Sequence, residues 1–340
     1  MAGRPSVDQD QGDHAAAVAF LSDRNSYRQP PDQITVIETH SSQVFLVGDL
    51  VYKTKKPIQL SFVDYRPLDA RRQSCAREVA LNQPLAPGVY LRSLPVLRLT
   101  NGSLAFGGVG VPIEWVVVMR RLDTNQLLDS RCQAGSVHPD DMERLCDWLA
   151  AFYRAAPPSR LSEADLVATY QHSIALITES LTDPLFNLPE NIVQPPLDAL
   201  HHDMRDALNF LTDRLAQGRI VDGHGDLRPE HVFLGPPTLV IDRLEFDDRL
   251  RQVDPFDEVT LLSLECERLG CRWIGAQLRE GLSKRLDDVV PQPLMDFYRT
   301  FRACMRARLS IEHLRDAKPR QPERWPRQAR DYLLLAHPPP

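Results

Sequence analysis

The sequence predicts an α+β chain of two lobes, a small strand-rich N-terminal lobe and a larger helical C-terminal one, with the chemistry on loops between. Three observations carry this. Short apolar runs typical of strands dominate residues 34–119, with one helical stretch among them. After Arg121 the helical period takes over, interrupted by one strand-rich island at 219–242. A length of 340 residues also allows more than one lobe.

Residues 1–13 are polar with Gly and Pro, and read as disordered. A short helix over 15–21 precedes the Pro30-Pro31 break. Within the N-lobe, residues 14–120, strands are expected at 34–37, 44–47 and 50–53. Gly48-Asp49 between the last two reads as a two-residue hairpin turn. A helix over 68–85 stops at Pro87-Gly88. Strands at 93–99, 103–106 and 114–119 follow, with Asn101-Gly102 as a turn and residues 107–112 as a connection. The helical C-lobe, residues 121–336, has helices expected at 139–155, 162–180, 197–217, 255–269, 272–285, 292–315 and 323–335. In the third of these, Leu197, Leu200, Met204, Leu208, Leu211 and Leu215 recur at three- and four-residue steps, and Gly218 ends it.

The net charge of −6 gives no concentrated basic face, so nucleic acid and anionic membranes are not expected partners. No apolar run reaches transmembrane length, and the N-terminus lacks a basic segment followed by an apolar one. The expectation is a cytoplasmic protein. Its six cysteines form no Cys-x-x-Cys pair and read as reduced thiols, several on apolar helix faces. Oligomeric state leaves no mark in the sequence.

The island holds the chemistry. His224-Gly225-Asp226-Leu227-Arg228-Pro229-Glu230-His231 crowds charged and imidazole side chains into eight residues. A hairpin-like apolar run follows, Val232-Phe233-Leu234 and Leu239-Val240-Ile241, and ends on Asp242. An acid before a hairpin and another after it is the layout of a phosphoryl-transfer site. The first carboxylate orients a hydroxyl and the second holds a hard cation against phosphates. Either acid alone reads first as a turn residue, and the pair with a hairpin between is far more specific.

These motifs, with Asp254-Pro255-Phe256-Asp257, resemble the aminoglycoside phosphotransferase family of small-molecule kinases, which has the bilobal protein-kinase-like fold. The resemblance implies ATP and Mg2+ as cofactors, Asp226 as catalytic base and Asp242 as metal ligand. It implies a small-molecule hydroxyl as acceptor. Asp257 becomes a buried anchor bracing the catalytic loop, and His224 a scaffold of that loop. Asp254 before Pro255 also reads as a helix N-cap. Arg228 stands where protein kinases keep a lysine that meets the transferred phosphate, and its guanidinium fork suits that contact. His231 takes the place of the family's asparagine, a second metal ligand. Imidazole is a softer donor and a poor match for magnesium, which leaves weaker metal binding, tolerance of manganese, a single metal or a degenerate site as the alternatives.

In the N-lobe, Lys53 ends the second hairpin strand and resembles the kinase-fold lysine that binds α- and β-phosphates, with Glu78 on the next helix as its ion-pair partner. Lys55 shares its strand face and is a rival, as is Lys56. Ser41 and Ser42, in the glycine-free stretch between the first two strands, are candidate phosphate contacts. Met119 and Arg120 fall at the join of the lobes, where backbone groups would meet adenine.

Residues 14–336 also resemble a poorly characterised branch of these kinases. The cues are Glu38-Thr39-His40, Val51-Tyr52-Lys53-x-Lys55-Lys56-Pro57 and Leu264-Glu265-Cys266-Glu267-Arg268-Leu269. In that branch histidine is usual at the second metal position, and members are often fused to a P-loop kinase-like domain. No Gly-x-x-x-x-Gly-Lys-Ser/Thr occurs here, so that domain is expected to be absent. Asp247, Asp248, Asp254, Glu258, Glu265 and Glu267 follow the motif. They would favour a cationic, aminosugar-like acceptor, or else lie solvated on helix faces. Two other readings stand beside the kinase. One is a nucleotide-binding pseudokinase, motivated by His231 and the missing glycines. The other is a metal-dependent hydrolase using His224, Asp226, His231 and Asp242, which leaves Lys53 and Glu78 without a role.

Overall fold

The computed structural model describes residues 7–60, 63–316, 319 and 321–336. The chain divides into two compact units. One comprises residues up to Thr124 together with Leu239–Asp248, and the other comprises Asn125–Thr238 and the residues from Arg249 onward. The short stretch carrying Asp242 therefore groups with the strand-rich unit, not with the helical lobe where its sequence position puts it.

The first unit opens on α1, Val7–Ser22, which begins eight residues before the expected helix. The segment read as disordered thus lies partly outside the described residues and is otherwise helical. Adding turns to a helix already anchored by packing costs little, so polar composition is a weak guide there. Ala17 and Leu21 of α1 are fully buried.

Strands β1 (Ile34–Glu38), β2 (Ser42–Val47) and β3 (Leu50–Lys55) form consecutive hairpins. Val47 faces Leu50 across the two-residue turn, and Gly48 supplies its left-handed φ of 55°. Helix α2 (Leu68–Asn82) follows, then β4 (Tyr90–Leu99), β5 (Leu104–Ala105) and β6 (Gly110–Arg120). The six strands make one antiparallel sheet in the order β1-β2-β3-β6-β4-β5. Residues expected as a connection at 110–112 are instead the start of β6, where Pro112 pairs with Leu97.

Phe45, Val47, Tyr52, Val116 and Val118 pack with Ala17, Leu21 and Tyr27 in the core of this unit. Alternation sends Lys53 and Lys55 of β3 to the other face. The buried stripe of α2 is Arg71, Ser74, Cys75, Glu78 and Asn82, correctly spaced for a helix face but mostly polar. Each polar member needs a specific partner. Arg71 is fully buried and donates to Glu114 at 2.8 Å and to the carbonyls of Tyr65 and Arg66 at 2.9 and 2.6 Å.

The second unit is helical. A short helix that the sequence did not reveal, α3 (Leu128–Gln133), precedes α4 (Pro139–Ala155) and α5 (Glu163–Thr182). Helix α6 runs Glu190–Ala216, seven residues longer at its start than expected. Ile192 and Val193 donate to the Pro189 carbonyl, so a first turn forms ahead of Pro195 and Pro196. Burial of Val193, Pro196 and Leu197 outweighs the two missing proline amides.

The short strands β7 (Val221–Asp222), β8 (Val232–Phe233) and β10 (Gln252–Val253) belong to this unit, β7 pairing antiparallel with β10, while β9 (Leu239–Val240) falls in the first unit. Helices α7 (Pro255–Arg268), α8 (Trp273–Leu286), α9 (Gln292–Glu312) and α10 (Arg324–Ala336) complete the unit. All six cysteines are free and buried. Among the described residues, no helix is long and apolar enough to cross a membrane.

Candidate active site

In the first unit the site is built from β3, α2 and the turn after β9. The carboxylate of Glu78 is fully buried and receives two ammonium groups, Lys53 on Oε1 at 2.8 Å and Lys55 on Oε2 at 2.7 Å. Lys53 also reaches Asp242 Oδ1 at 2.9 Å, and Lys55 reaches Glu245 Oε1 at 2.6 Å. Burial acts to lower the Lys53 pKa, but Asp242, Glu78 and Glu245 outweigh it and hold the amine well above its ordinary value. Burial likewise acts to raise the Glu245 carboxyl, and Lys55 and Lys53 reverse that and keep it ionised.

Asp242 adopts a left-handed backbone, φ 61°, uncommon for a residue with a side chain. Its N–H donates to the Tyr90 hydroxyl at 3.0 Å. The next amide, of Arg243, donates to Asn82 Oδ1 at 2.8 Å. The Asp242 side chain keeps 42% exposure, so its oxygens can serve a hard cation.

Other expected nucleotide contacts fare differently. Ser42 lies inside β2 with a buried hydroxyl, so its side chain offers nothing to a ligand. Ser41 sits in the turn before it, where its carbonyl accepts the Lys56 amide at 2.8 Å. Thr39 closes that turn, its hydroxyl accepting the Ser42 amide at 3.0 Å. Lys56 points away from its two rivals, to Glu38 and the Thr39 carbonyl, both at 2.6 Å. Met119 is paired on both sides within the sheet. The Arg120 amide is committed to the Val89 carbonyl at 2.9 Å, and the Arg121 amide to Asp49 at 2.8 Å. Those two N–H groups are therefore not free to contact a base.

In the second unit, the segment 223–231 is a self-braced loop. Gly223 is required by space, since a Cβ there would lie 2.5 Å from Val253 Cγ2 and 2.8 Å from Glu258 Oε2. Gly225 is required by conformation, with φ 92°. His224 Nδ1 accepts the Asp226 amide at 3.2 Å. His231 Nδ1 lies 2.8 Å from the Asp226 carbonyl and must donate to it, which leaves Nε2 as the acceptor facing Arg228 Nη2 at 3.3 Å. The two imidazoles stack with centroids 5.8 Å apart.

Arg228 is held by Asp226 Oδ2 at 3.0 Å and Glu230 Oε1 at 2.6 Å. The Asp226 carboxylate is 32% exposed. Burial acts to raise its pKa, but Arg228, His231, Arg306 and His224 outweigh that and hold it below the ordinary carboxylate value. A group so placed is ionised at neutral pH and can accept a hydrogen bond from a hydroxyl.

The anchor of this loop is not Asp257. That carboxylate is taken by Arg302 at 2.6 and 2.7 Å and by the Tyr170 hydroxyl at 3.3 Å. The adjacent Glu258 does the bracing. It accepts the amides of His224, at 3.0 Å, and Gly225, and the Tyr153 hydroxyl at 2.9 Å. Both acids lie in the first turn of α7, and one residue turns the side chain by about 100°. Spacing alone does not settle which of two neighbours faces the loop. Burial pushes the Glu258 carboxyl up, with the loop amides and Tyr153 pulling the other way. Asp254 caps α7, accepting the Phe256 amide at 2.8 Å, and is further held by Arg214 and Tyr298.

Of the acids considered as an attraction for a cationic acceptor, Asp254, Glu258 and Glu265 are buried and engaged within the second unit, while Asp248 stays exposed. Glu265 binds Arg306 at 2.7 Å and the Tyr332 hydroxyl, Glu267 binds Arg299 at 2.9 Å, and in the first unit Asp248 binds Arg77. As a metal set, Asp242 fits a hard cation. His231 does not, because both ring nitrogens are occupied within the loop. Among the described residues no group of three or more His, Cys, Asp or Glu converges to hold an ion.

No protein-family model matches the chain. An uncharacterized protein of Mycobacterium tuberculosis is 32% identical over 296 residues, a match covering 84% of this chain and 56% of that protein. The chain thus spans about half the length of the curated relatives it matches. Among solved structures, choline kinase from Cryptosporidium parvum is similar at 10% identity, with 94% of each chain covered and a TM-score of 0.54. A spectinomycin phosphotransferase solved with ADP and spectinomycin is similar at 10% identity, covering 95% of this chain and 97% of its own, again with a TM-score of 0.54.

Proposed function

We propose that this chain, which has the protein-kinase-like fold of small-molecule kinases, transfers the γ-phosphoryl group of ATP to a hydroxyl of a small molecule. The observation that carries the reading is the set Lys53, Glu78 and Asp242, joined at 2.8 and 2.9 Å. A charged lysine aimed by a buried glutamate, beside an exposed carboxylate, is suited to polyphosphate and of little use to a hydrolase.

In this mechanism Glu78 fixes the direction of Lys53, and Lys53 meets the α- and β-phosphates. Asp242 would hold magnesium or manganese, which when bound neutralises charge on the phosphate oxygens. Asp226 accepts the proton of the acceptor hydroxyl and aims its oxygen at the γ-phosphorus. A new phosphorus–oxygen bond forms as the bond to the β-phosphate oxygen breaks, and ADP leaves. Arg228, two residues from Asp226, offers its remaining guanidinium hydrogens to the transferred group.

The acceptor is a proposal of its own. Of the six acids after the motif, Asp254, Glu265 and Glu267 are paired with arginines and Glu258 is enclosed by backbone amides and Tyr153, so these four present little free carboxylate to an amine. This favours a neutral hydroxyl compound over a polycationic aminoglycoside. A regulatory, non-catalytic module is the second reading, favoured by the occupied ring nitrogens of His231.

One experiment separates these. ATP turnover is measured for wild type and Asp226→Asn against pooled neutral and cationic hydroxyl compounds, with nucleotide binding followed by thermal shift. The kinase reading expects wild-type turnover that is lost in the variant while ATP still binds. Binding without turnover on any pool points to the regulatory module, and equal turnover by the variant removes Asp226 from the chemistry.

A further inference from the structure

We propose that Lys55 and Glu245 are positioning residues, a second lysine–glutamate pair that sets the backbone of Asp242 and the direction of Lys53, and thereby the cation affinity of the site. The inference rests on the phosphotransferase reading and extends it to two residues that the reading does not use.

One buried lysine satisfies the needs of a phosphate site. A second, Lys55, is nearly as buried as Glu78, with only 3% of its side chain exposed. Enclosing another ammonium costs several kcal/mol unless it is fully paired, so its presence calls for a role. Its pairing is complete. The amine bridges Glu78 Oε2 at 2.7 Å and Glu245 Oε1 at 2.6 Å. Glu245 Oε1 also lies 3.2 Å from the Tyr65 hydroxyl and 3.2 Å from Ser74 Oγ. This oxygen thus ties together β3, the segment before α2, and α2 itself.

Glu245 lies three residues beyond Asp242, on the same turn. That turn holds a strained residue, because the left-handed backbone of Asp242 costs about 1–3 kcal/mol and persists only when its surroundings fix it. The fixing points are visible. Tyr90 takes the amide of Asp242, Asn82 takes both backbone groups of Arg243, at 2.8 and 3.4 Å, and Lys55 takes the side chain of Glu245. The Lys55 tie is ionic, as is that of Lys53 to Asp242 itself, and it closes the far end of the segment.

The same pair controls Lys53. Glu78 divides its two oxygens between the two lysines. Without Lys55, three carboxylates, Glu78, Glu245 and Asp242, would compete for the single ammonium of Lys53. That amine would then be shared among the three acids, and its direction toward Asp242 would no longer be set. Neutralising Glu245 frees the far end of the turn and leaves Lys55 wholly to Glu78. Both changes disturb the Asp242 carboxylate without removing it.

The experiment titrates Mn2+ into wild type, Lys55→Met and Glu245→Gln, with and without ADP, reading free Mn2+ by its paramagnetic resonance signal. KM for ATP, kcat and the thermal midpoint are measured alongside. The expected result is Mn2+ affinity weakened by about tenfold in each variant, the size seen when groups supporting a metal ligand are lost. ADP affinity without cation should stay within about twofold, because the binding lysine remains. Tyr65→Phe, which removes one hydrogen bond to Glu245, covers the case of a variant that does not fold. It should weaken Mn2+ binding about threefold. Folded variants that bind Mn2+ like wild type overturn the positioning role and leave the phosphotransferase reading standing. Wild type that binds neither Mn2+ nor ADP overturns both.

Discussion

Arg302 offers a sharp test of which acid braces which element. Its guanidinium makes two bonds of 2.6 and 2.7 Å to Asp257, a carboxylate that is 1% exposed. Replacing Arg302 with Met keeps most of the side-chain volume and removes both bonds. Two charge-assisted bonds at about 1.5–3 kcal/mol each set an upper range of roughly 3–6 kcal/mol. The measured cost of orphaning one member of a buried ion pair is about 3–5 kcal/mol.

The working value is therefore about 4 kcal/mol, near a thousandfold in the unfolding equilibrium. The Tyr170 hydroxyl, at 3.3 Å, remains as a weak partner and keeps the figure from the top of the range. Urea unfolding followed by tryptophan fluorescence is the assay, since Trp148, Trp273 and Trp325 lie in the same unit. The double variant Arg302→Met with Asp257→Asn removes the orphaned charge and should regain about 2 kcal/mol or more. A loss below about 1 kcal/mol in the single variant, or no recovery in the double, would refute the pairing as the structural role of Asp257.

Two further predictions concern Glu258. Glu258→Ala removes the acceptor of the His224 and Gly225 amides, so Asp226 loses its fixed position. Turnover should fall by about a hundredfold or more while ATP affinity changes little, measured as kcat against nucleotide KM. The second is a pH dependence. The folded pKa of Glu258 lies above its ordinary value of 4.5. From pH 4.5 up to the raised pKa, the native state holds a proton that the unfolded chain has released. Stability therefore falls with rising pH across that window. Urea midpoints taken upward from pH 4.5 should show this slope in wild type and a flatter one in Glu258→Gln.

Much of the architecture was legible because it rests on local rules. The β2–β3 hairpin follows from two short apolar runs separated by Gly48-Asp49. Helix α4 starts at Pro139 and ends at Ala155, as the period and the N-terminal proline require. Lys53, Glu78, Asp226 and Asp242 stood out because their residue types and order are those of phosphate chemistry. What stayed hidden was the use of polar residues inside. The buried stripe of α2 has helical spacing but contains Arg71, Ser74, Glu78 and Asn82, which a hydropathy pattern assigns to solvent. The extra turns of α6 defied local propensity in the same way, because burial overrode two prolines.

By itself, the sequence determined the α+β class, the order of strands and helices, and the candidate acids and lysine, since each depends on residue type and near neighbours. Only the tertiary structure decided which of two adjacent acids, Asp257 or Glu258, turns to the loop amides. It also decided that His231 spends both ring nitrogens within its own loop, that Ser42 is buried, and that Lys55 shares Glu78 with Lys53. For Glu258, His231 and Lys55 the physical reason is the same. A buried polar group goes where its partner is, and the partners of Glu78 and Glu258 are set by packing between residues far apart in the chain.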